Sequence, residues 1–291
     1  MAKMTDLPRR TLGRTGLQVT QLGYGAMELR GAPRGRDVDD EQAERILRAV
    51  LDSGINYIDT SIDYGLSEER IGRFIGSRRS EFFLASKCGC AVEPQPAPGQ
   101  GRPQHVFTRG NITSGVESSL ERLRTDYLDV VQFHASPSPD TLREEGALEA
   151  LLDLQRAGKV RFLGMSGTLP NLPDQISMGV FDVFQIPYSA VQPEHEELIT
   201  EAAAAGAGTV IRGGAAKGGW DGSELDDLLE GASKTEFILR MTLSHPHMHT
   251  TIVGTIDPAH LEANIAAARK GPLPVEVHAE ARRRLAARAL V

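Results

Sequence analysis

Short apolar runs alternate with stretches that carry apolar residues at helical spacing, from one end of the chain to the other. QLGYG at 21–25, INYID at 55–59, FFLAS at 82–86 and YLDVVQF at 127–133 read as strands. So do FLGMS at 162–166, VFQIPY at 183–188, TVIRG at 209–213 and TTIVG at 250–254. Between them the pattern changes period. In DDEQAERILRAVLDSG, residues Ala43, Ile46, Leu47, Val50 and Leu51 fall on one helical face, with Asp39 or Asp40 as N-cap and Gly54 past the end. Further helices are expected in EERIGRFIG, in NITSGVESSLERLR, from Leu142 to Gln155, near Asp174 to Met178, in HEELITEAAAAG, from Lys234 to Leu243 and in AHLEANIAAARK. Strands that alternate with helices pair in parallel, and eight such repeats close into a (β/α)8 TIM barrel. A β-hairpin built from Arg9–Leu12 and Val19–Leu22 should precede the barrel, and an extra C-terminal helix should span Glu276 to Ala289.

Length and composition narrow this picture. The 291 residues include 40% apolar positions, ample for a large core, and no Ser/Gly/Pro linker divides the chain, so residues 1–291 are expected to form one barrel domain. A net charge of -7 argues against general affinity for nucleic acid or anionic membranes, which select basic surfaces. Two cysteines one residue apart cannot staple a chain of this size, and the N-terminus shows no secretory pattern, so a cytoplasmic protein is expected.

Barrel enzymes place their chemistry at the C-terminal ends of the strands and in the loops that follow. Four polar residues stand there: Asp59 closes INYID, Tyr64 lies in the next loop, Lys87 closes FFLASK and His134 closes YLDVVQFH. Together they make an acid for a carbonyl. A phenol has a free pKa of about 10, and a nearby ammonium is expected to lower it. Asp59 can hold Lys87 charged, and His134 can hydrogen-bond the substrate oxygen or pass it a proton.

These residues and the text around them, RRTLGRTGLQVTQLGYGAM, GNITSGVESSLERLRTDYLDVVQFH, FLGMSG and VGTIDPAHLEAN, resemble the aldo-keto reductase family. The resemblance implies reversible reduction of an aldehyde or ketone by hydride transfer from a nicotinamide cofactor. It assigns Tyr64 as general acid, Lys87 and Asp59 as its tuning pair and His134 as the group that orients the carbonyl. It also implies a cofactor across the barrel mouth, with Ser166 and Gln185 at the carboxamide and Arg212 where the family carries an aromatic residue over the nicotinamide. Gly254, Thr255 and His260 match positions around the 2'-phosphate, and Asn264 an adenine contact. The family's asparagine after the serine is here Gly167, which offers no amide.

Other signals bear on the cofactor and the pocket. No G-x-G-x-x-G opens a helix after a strand, so a Rossmann site is not expected. Lys217 in GGAAKGG is a candidate for the pyrophosphate, since glycines let backbone approach phosphate oxygens. Between Arg240 and Arg269 there is no lysine or arginine to pair with a 2'-phosphate. NADPH is expected to be only slightly favoured, through Lys217, Arg212 or the Lys270 region, with NADH usable. Met27, Trp220 and the loop from Cys88 to Pro103 should line the substrate pocket, which is expected to be open and to accept small-molecule carbonyls or alcohols broadly. HPHMH at 245–249 and the cysteines read as separate features, so no metal site is expected, and GMSGT lacks the last glycine of a nucleophile elbow. The alternative is a nicotinamide-binding redox sensor or accessory subunit with slow turnover. Oligomeric state is left open.

Overall fold

The computed structural model describes residues 6–92, 105–215 and 223–288. Lys217, Trp220 and positions 93–103 of the expected pocket loop lie outside the described residues. The barrel strands are β3 (Leu22–Gly25), β4 (Tyr57–Asp59), β5 (Phe83–Cys88), β6 (Leu128–Phe133), β7 (Val160–Ser166), β8 (Val183–Pro187), β9 (Gly208–Arg212) and β10 (Thr250–Val253). All pair in parallel, in chain order, and β10 closes on β3.

The helices form where the periodicity placed them, for local reasons. In α1 (Asp40–Asp52) the Asp39 carboxylate accepts the Gln42 N–H at 2.7 Å, and Ala43, Ile46, Leu47, Val50 and Leu51 are buried against the barrel. α2 (Ser67–Ile75) and α3 (Arg109–Leu123) follow β4 and β5. The single helix expected from Leu142 to Gln155 is instead two, α4 (Pro139–Glu144) and α5 (Ala147–Arg156). Gly146 between them has φ of 72°, a left-handed conformation that interrupts the helical ladder and starts a new one. The remaining helices are α6 (Leu172–Ser177), α7 (Glu196–Ala204), α8 (Lys234–Leu243), α9 (Pro258–Lys270) and α10 (Val275–Arg288). The last is the extra C-terminal helix; Ala281 on it and Leu273 just before it pack with Phe237, Ile238 and Met241 of α8.

An N-terminal hairpin, β1 (Arg9–Thr11) with β2 (Gln18–Thr20), stoppers the N-terminal end of the barrel. Leu12 and Leu17 join Val19, Tyr57, Ala85, Val130, Val183, Val210 and Ile252 in one interior cluster. Leu12 is fully buried, worth about 1.5–3 kcal/mol over an exposed leucine. Gly13 passes so close that a Cβ would lie 2.3 Å from the Gly208 nitrogen. Arg10 ties the hairpin to the approach to β10 by donating to the carbonyls of Pro246 (2.7 Å) and Met248 (2.6 Å). The buried ion pair of the interior lies toward the other end, where Asp59 ends β4 and Lys87 lies near the end of β5.

Candidate active site

Asp59 ends β4, Lys87 lies near the end of β5, and His134 follows β6, so all three reach the C-terminal mouth. Tyr64 comes from the loop after β4. The Lys87 ammonium donates to Asp59 Oδ2 at 2.6 Å and to the Thr60 carbonyl at 2.8 Å; both members of the ion pair are 2% exposed. Lys87 Nζ sits 4.8 Å from the centre of the Tyr64 ring, and the Tyr64 and His134 rings meet edge to face at 6.2 Å. The structure thus brings the four expected residues together.

Two further residues complete the carboxylate. Gln132 donates to Asp59 Oδ1 at 2.8 Å and Gln185 donates to the same oxygen at 2.7 Å, so Asp59 accepts three charge-assisted hydrogen bonds. Gln132 was not foreseen, although a signal existed. It stands two residues before His134, and in a strand such pairs share a face.

The electrostatics correct the expected tuning of Tyr64. Burial raises the phenol's pKa; Lys87 pulls it down through charge and hydrogen bonding, but Asp59 and Asp63 push it up, and the balance stays above the ordinary value of 10. Lys87 itself is disfavoured as a cation by burial, yet Asp59, Tyr64 and Asp63 more than offset this and raise its pKa. His134 is held down to about 3, by burial first and then by the Lys87 charge. It is therefore neutral at physiological pH: a hydrogen-bonding group and not a store of protons. Its Nδ1 lies 3.2 Å from Cys90 Sγ and 3.6 Å from Asp63 Oδ1. Asp63 is buried, takes the Ser61 hydroxyl at 2.5 Å and pairs with Arg34 at 3.4 Å.

The expected cofactor residues form an arc over the next four strand ends. Ser166 closes β7 beside Gln185 on β8, Arg212 closes β9, and Gly254 follows β10. Ser166 Oγ approaches Gln185 Oε1 at 3.3 Å. The Gln185 amide nitrogen is thus committed to Asp59, leaving lone pairs on Gln185 Oε1 and Ser166 Oγ as acceptors. Arg212 is exposed and lies within electrostatic range of Tyr64, Asp59 and His134. Gly254 is exposed, and a Cβ there would lie 2.6 Å from the Gly25 carbonyl, so backbone alone fits this approach. The Thr255 hydroxyl accepts the Asp257 N–H at 3.0 Å, and Asp257 caps α9. His260 and Asn264 lie on α9, the first exposed and the second 8% exposed. Met27 is half-buried in the turn after β3.

One expectation meets a different arrangement. Lys270 does not lie over this arc: it ends α9 and pairs with Glu236 of α8 at 2.6 Å. The space an asparagine would need at Gly167 is filled, since a Cβ there would fall 2.6 Å from Leu172 Cδ1 and 2.9 Å from Gln175 Oε1. Gln175 is fully buried and donates to the Pro137 carbonyl at 2.6 Å, bracing the loop after His134 where Ala135 and Ser136 adopt φ of 65° and 53°.

A closed eight-stranded parallel barrel with its polar cluster at the strand C-termini defines a TIM-barrel protein of the enzyme type. Comparison with known proteins narrows the class. The model of the Aldo/keto reductase family matches residues 21–229, and the chain belongs to that family of oxidoreductases, whose members use nicotinamide cofactors, usually NADPH. It is 27% identical over 298 residues to the uncharacterized oxidoreductase YqkF of Bacillus subtilis (strain 168), covering 92% of this chain and 93% of that one. It is 34% identical over 192 residues to L-galactose dehydrogenase of Arabidopsis thaliana, covering 62% of this chain and 56% of that protein. Among solved structures, the holo form of an aldo-keto reductase from Bacillus halodurans superposes with a TM-score of 0.83 at 28% identity, covering 96% of each chain.

The arc fits a nicotinamide cofactor in chemistry. The remaining lone pairs on Ser166 and Gln185 suit a carboxamide NH2, and the exposed glycine backbone at Gly254 allows close approach of a phosphate.

Proposed function

We propose that this protein reduces an aldehyde or ketone to an alcohol, reversibly, with Tyr64 as the general acid. The observation that carries the reading is the Asp59–Lys87 ion pair buried under the Tyr64 ring, beside a His134 kept neutral. A nicotinamide held at Ser166 and Gln185 would supply the hydride for the carbonyl carbon. As charge develops on the carbonyl oxygen, Tyr64 gives it the phenolic proton. A raised pKa keeps that proton in place at neutral pH, and an alkoxide is a stronger base than a phenolate, so the transfer still runs downhill. Lys87 stabilises the phenolate left behind, and Asp59, held by Gln132 and Gln185, keeps the ammonium charged and aimed. His134 orients the carbonyl oxygen by hydrogen bonding. In alcohol oxidation the same groups act in reverse.

Ser166 and Gln185 would accept from the carboxamide, Arg212 would stack on or pair with the cofactor at the mouth, and Gly254, Thr255, His260 and Asn264 would line its adenosine end. Met27, in the turn after β3, would line the substrate pocket. Steady-state reduction of a panel of aldehydes and ketones with NADPH and with NADH tests the reading, alongside Tyr64→Phe. Wild-type turnover at ordinary enzyme rates is expected, with at least the roughly 10²-fold loss that follows removal of a general acid, and cofactor binding near normal in the variant. Uniformly slow wild-type turnover that Tyr64→Phe leaves unchanged would favour a cofactor-sensing subunit instead.

A further inference from the structure

Cys90 plays no part in the chemistry above, yet it is 1% exposed against the candidate catalytic histidine. Its thiol, one ring nitrogen of His105 and one of His134 lie within 4.8 Å of one another, with Sγ to His134 Nδ1 at 3.2 Å. The two histidine rings meet edge to face at 5.5 Å. His105 Nε2 is buried and has no hydrogen-bond partner among the described residues, an uncompensated polar atom of the sort that a ligand would satisfy.

The two loop legs that carry Cys90 and His105 are clasped in place. Residues 90 and 105 form an antiparallel bridge, and the Val106 N–H donates to the Gly89 carbonyl at 2.7 Å. Asn111 Nδ2 donates to the carbonyls of both Cys90 (3.0 Å) and Val106 (2.8 Å). Gly89 permits this: at φ of +91°, a Cβ would strike the Phe107 ring at 2.5 Å.

A thiolate with two imidazoles is the donor set of a borderline-soft divalent ion such as zinc, and across a tetrahedral zinc centre sulfur and nitrogen ligands stand about 3.3–3.6 Å apart. The widest separation here must close by only about 1–1.5 Å to meet that geometry. Asp63, whose Oδ1 lies 3.6 Å from His134 Nδ1, adds a carboxylate to balance the ion's charge. The thiol proton leaves to solvent when sulfur ligates.

We propose that Cys90, His105 and His134 form a zinc-binding site at the barrel mouth, with Asp63 as its charge partner. Since His134 faces the carbonyl in the function proposed above, carbonyl turnover should respond to zinc. That consequence rests on the earlier reading; the binding does not.

The test uses the full chain without a histidine tag and titrates it with Co²⁺, then displaces the cobalt with Zn²⁺. One equivalent should bind with tetrahedral d–d bands and a thiolate-to-cobalt charge-transfer band. Cys90→Ser should abolish the charge-transfer band, and His105→Gln should weaken binding at least tenfold, while His247→Ala, at an exposed histidine before β10, leaves both unchanged. Circular dichroism reports whether each variant folds, and His105→Gln carries the test if Cys90→Ser does not. Absence of a charge-transfer band overturns the site, as does binding that survives both site variants or is lost with His247→Ala. Cobalt binding without any zinc effect on turnover would keep the site and reject the role given to His134.

Discussion

Gln185 donates to Asp59 Oδ1 at 2.7 Å across the barrel interior, opposite the oxygen that takes Lys87. A residue expected to hold the cofactor is thereby also a strut for the proposed catalytic ion pair. Gln185→Leu removes a hydrogen bond to a charged group, worth about 1.5–3 kcal/mol, and urea unfolding should show a loss of that size. Turnover should fall with both NADPH and NADH. Wild-type stability and rate would mean that Lys87 and Gln132 alone fix the carboxylate.

Lys87→Met should do more than slow the reaction. It leaves Asp59 charged, buried and without its ammonium, a change that costs about 3–5 kcal/mol. Adding Asp59→Asn removes the orphaned charge, so the double variant should regain part of the lost stability in urea while carbonyl reduction stays abolished. Recovery of activity in the double variant would overturn the assignment of Lys87.

Cofactor choice should be weakly biased. Lys270 is spent on Glu236, His260 is the exposed basic group near the start of α9, and a charge-assisted phosphate contact contributes about 1.5–3 kcal/mol, or roughly ten- to a hundredfold. Fluorescence titration should show NADPH slightly ahead of NADH. A several-hundredfold preference that persists in His260→Ala would place a cation from another segment on the 2'-phosphate.

Acid should weaken the fold through histidines far from the proposed chemistry. The Thr209 N–H donates to His249 Nδ1 at 3.0 Å, which requires that nitrogen unprotonated, and burial, then Arg10 and His247, lower the His249 pKa to about 4. Burial lowers His245 to about 4 as well. Both are depressed below the unfolded value of about 6.5. Their contribution is thus whole above that pH and is lost as pH falls towards 4. Thermal unfolding from pH 7.5 to 4 should show this decline, and His249→Gln, which keeps an acceptor without a titrating proton, should flatten it. An unchanged profile in that variant would assign the decline to other groups.

The strands and most helices were legible because each is written in local periodicity, and the four proposed catalytic residues because each sits at a strand end or in the loop just beyond. What escaped is non-local. Gln132 and Gln185 meet Asp59 only once the barrel closes, and the bridge that sets Cys90 beside His105 spans a loop that no spacing rule connects. The direction of the Tyr64 shift was misjudged for a related reason: sequence shows the charged neighbours, but burial, the largest influence, exists only after packing. The break at Gly146 was a readable signal, a glycine within an otherwise continuous apolar face, and it ended one helix where the apolar pattern ran on.

The hairpin stopper around Leu12 has a consequence for traffic. Among the described residues Leu12 and Leu17 fill the hairpin end with apolar side chains, so a ligand bound for Tyr64 is left the side where the strands end.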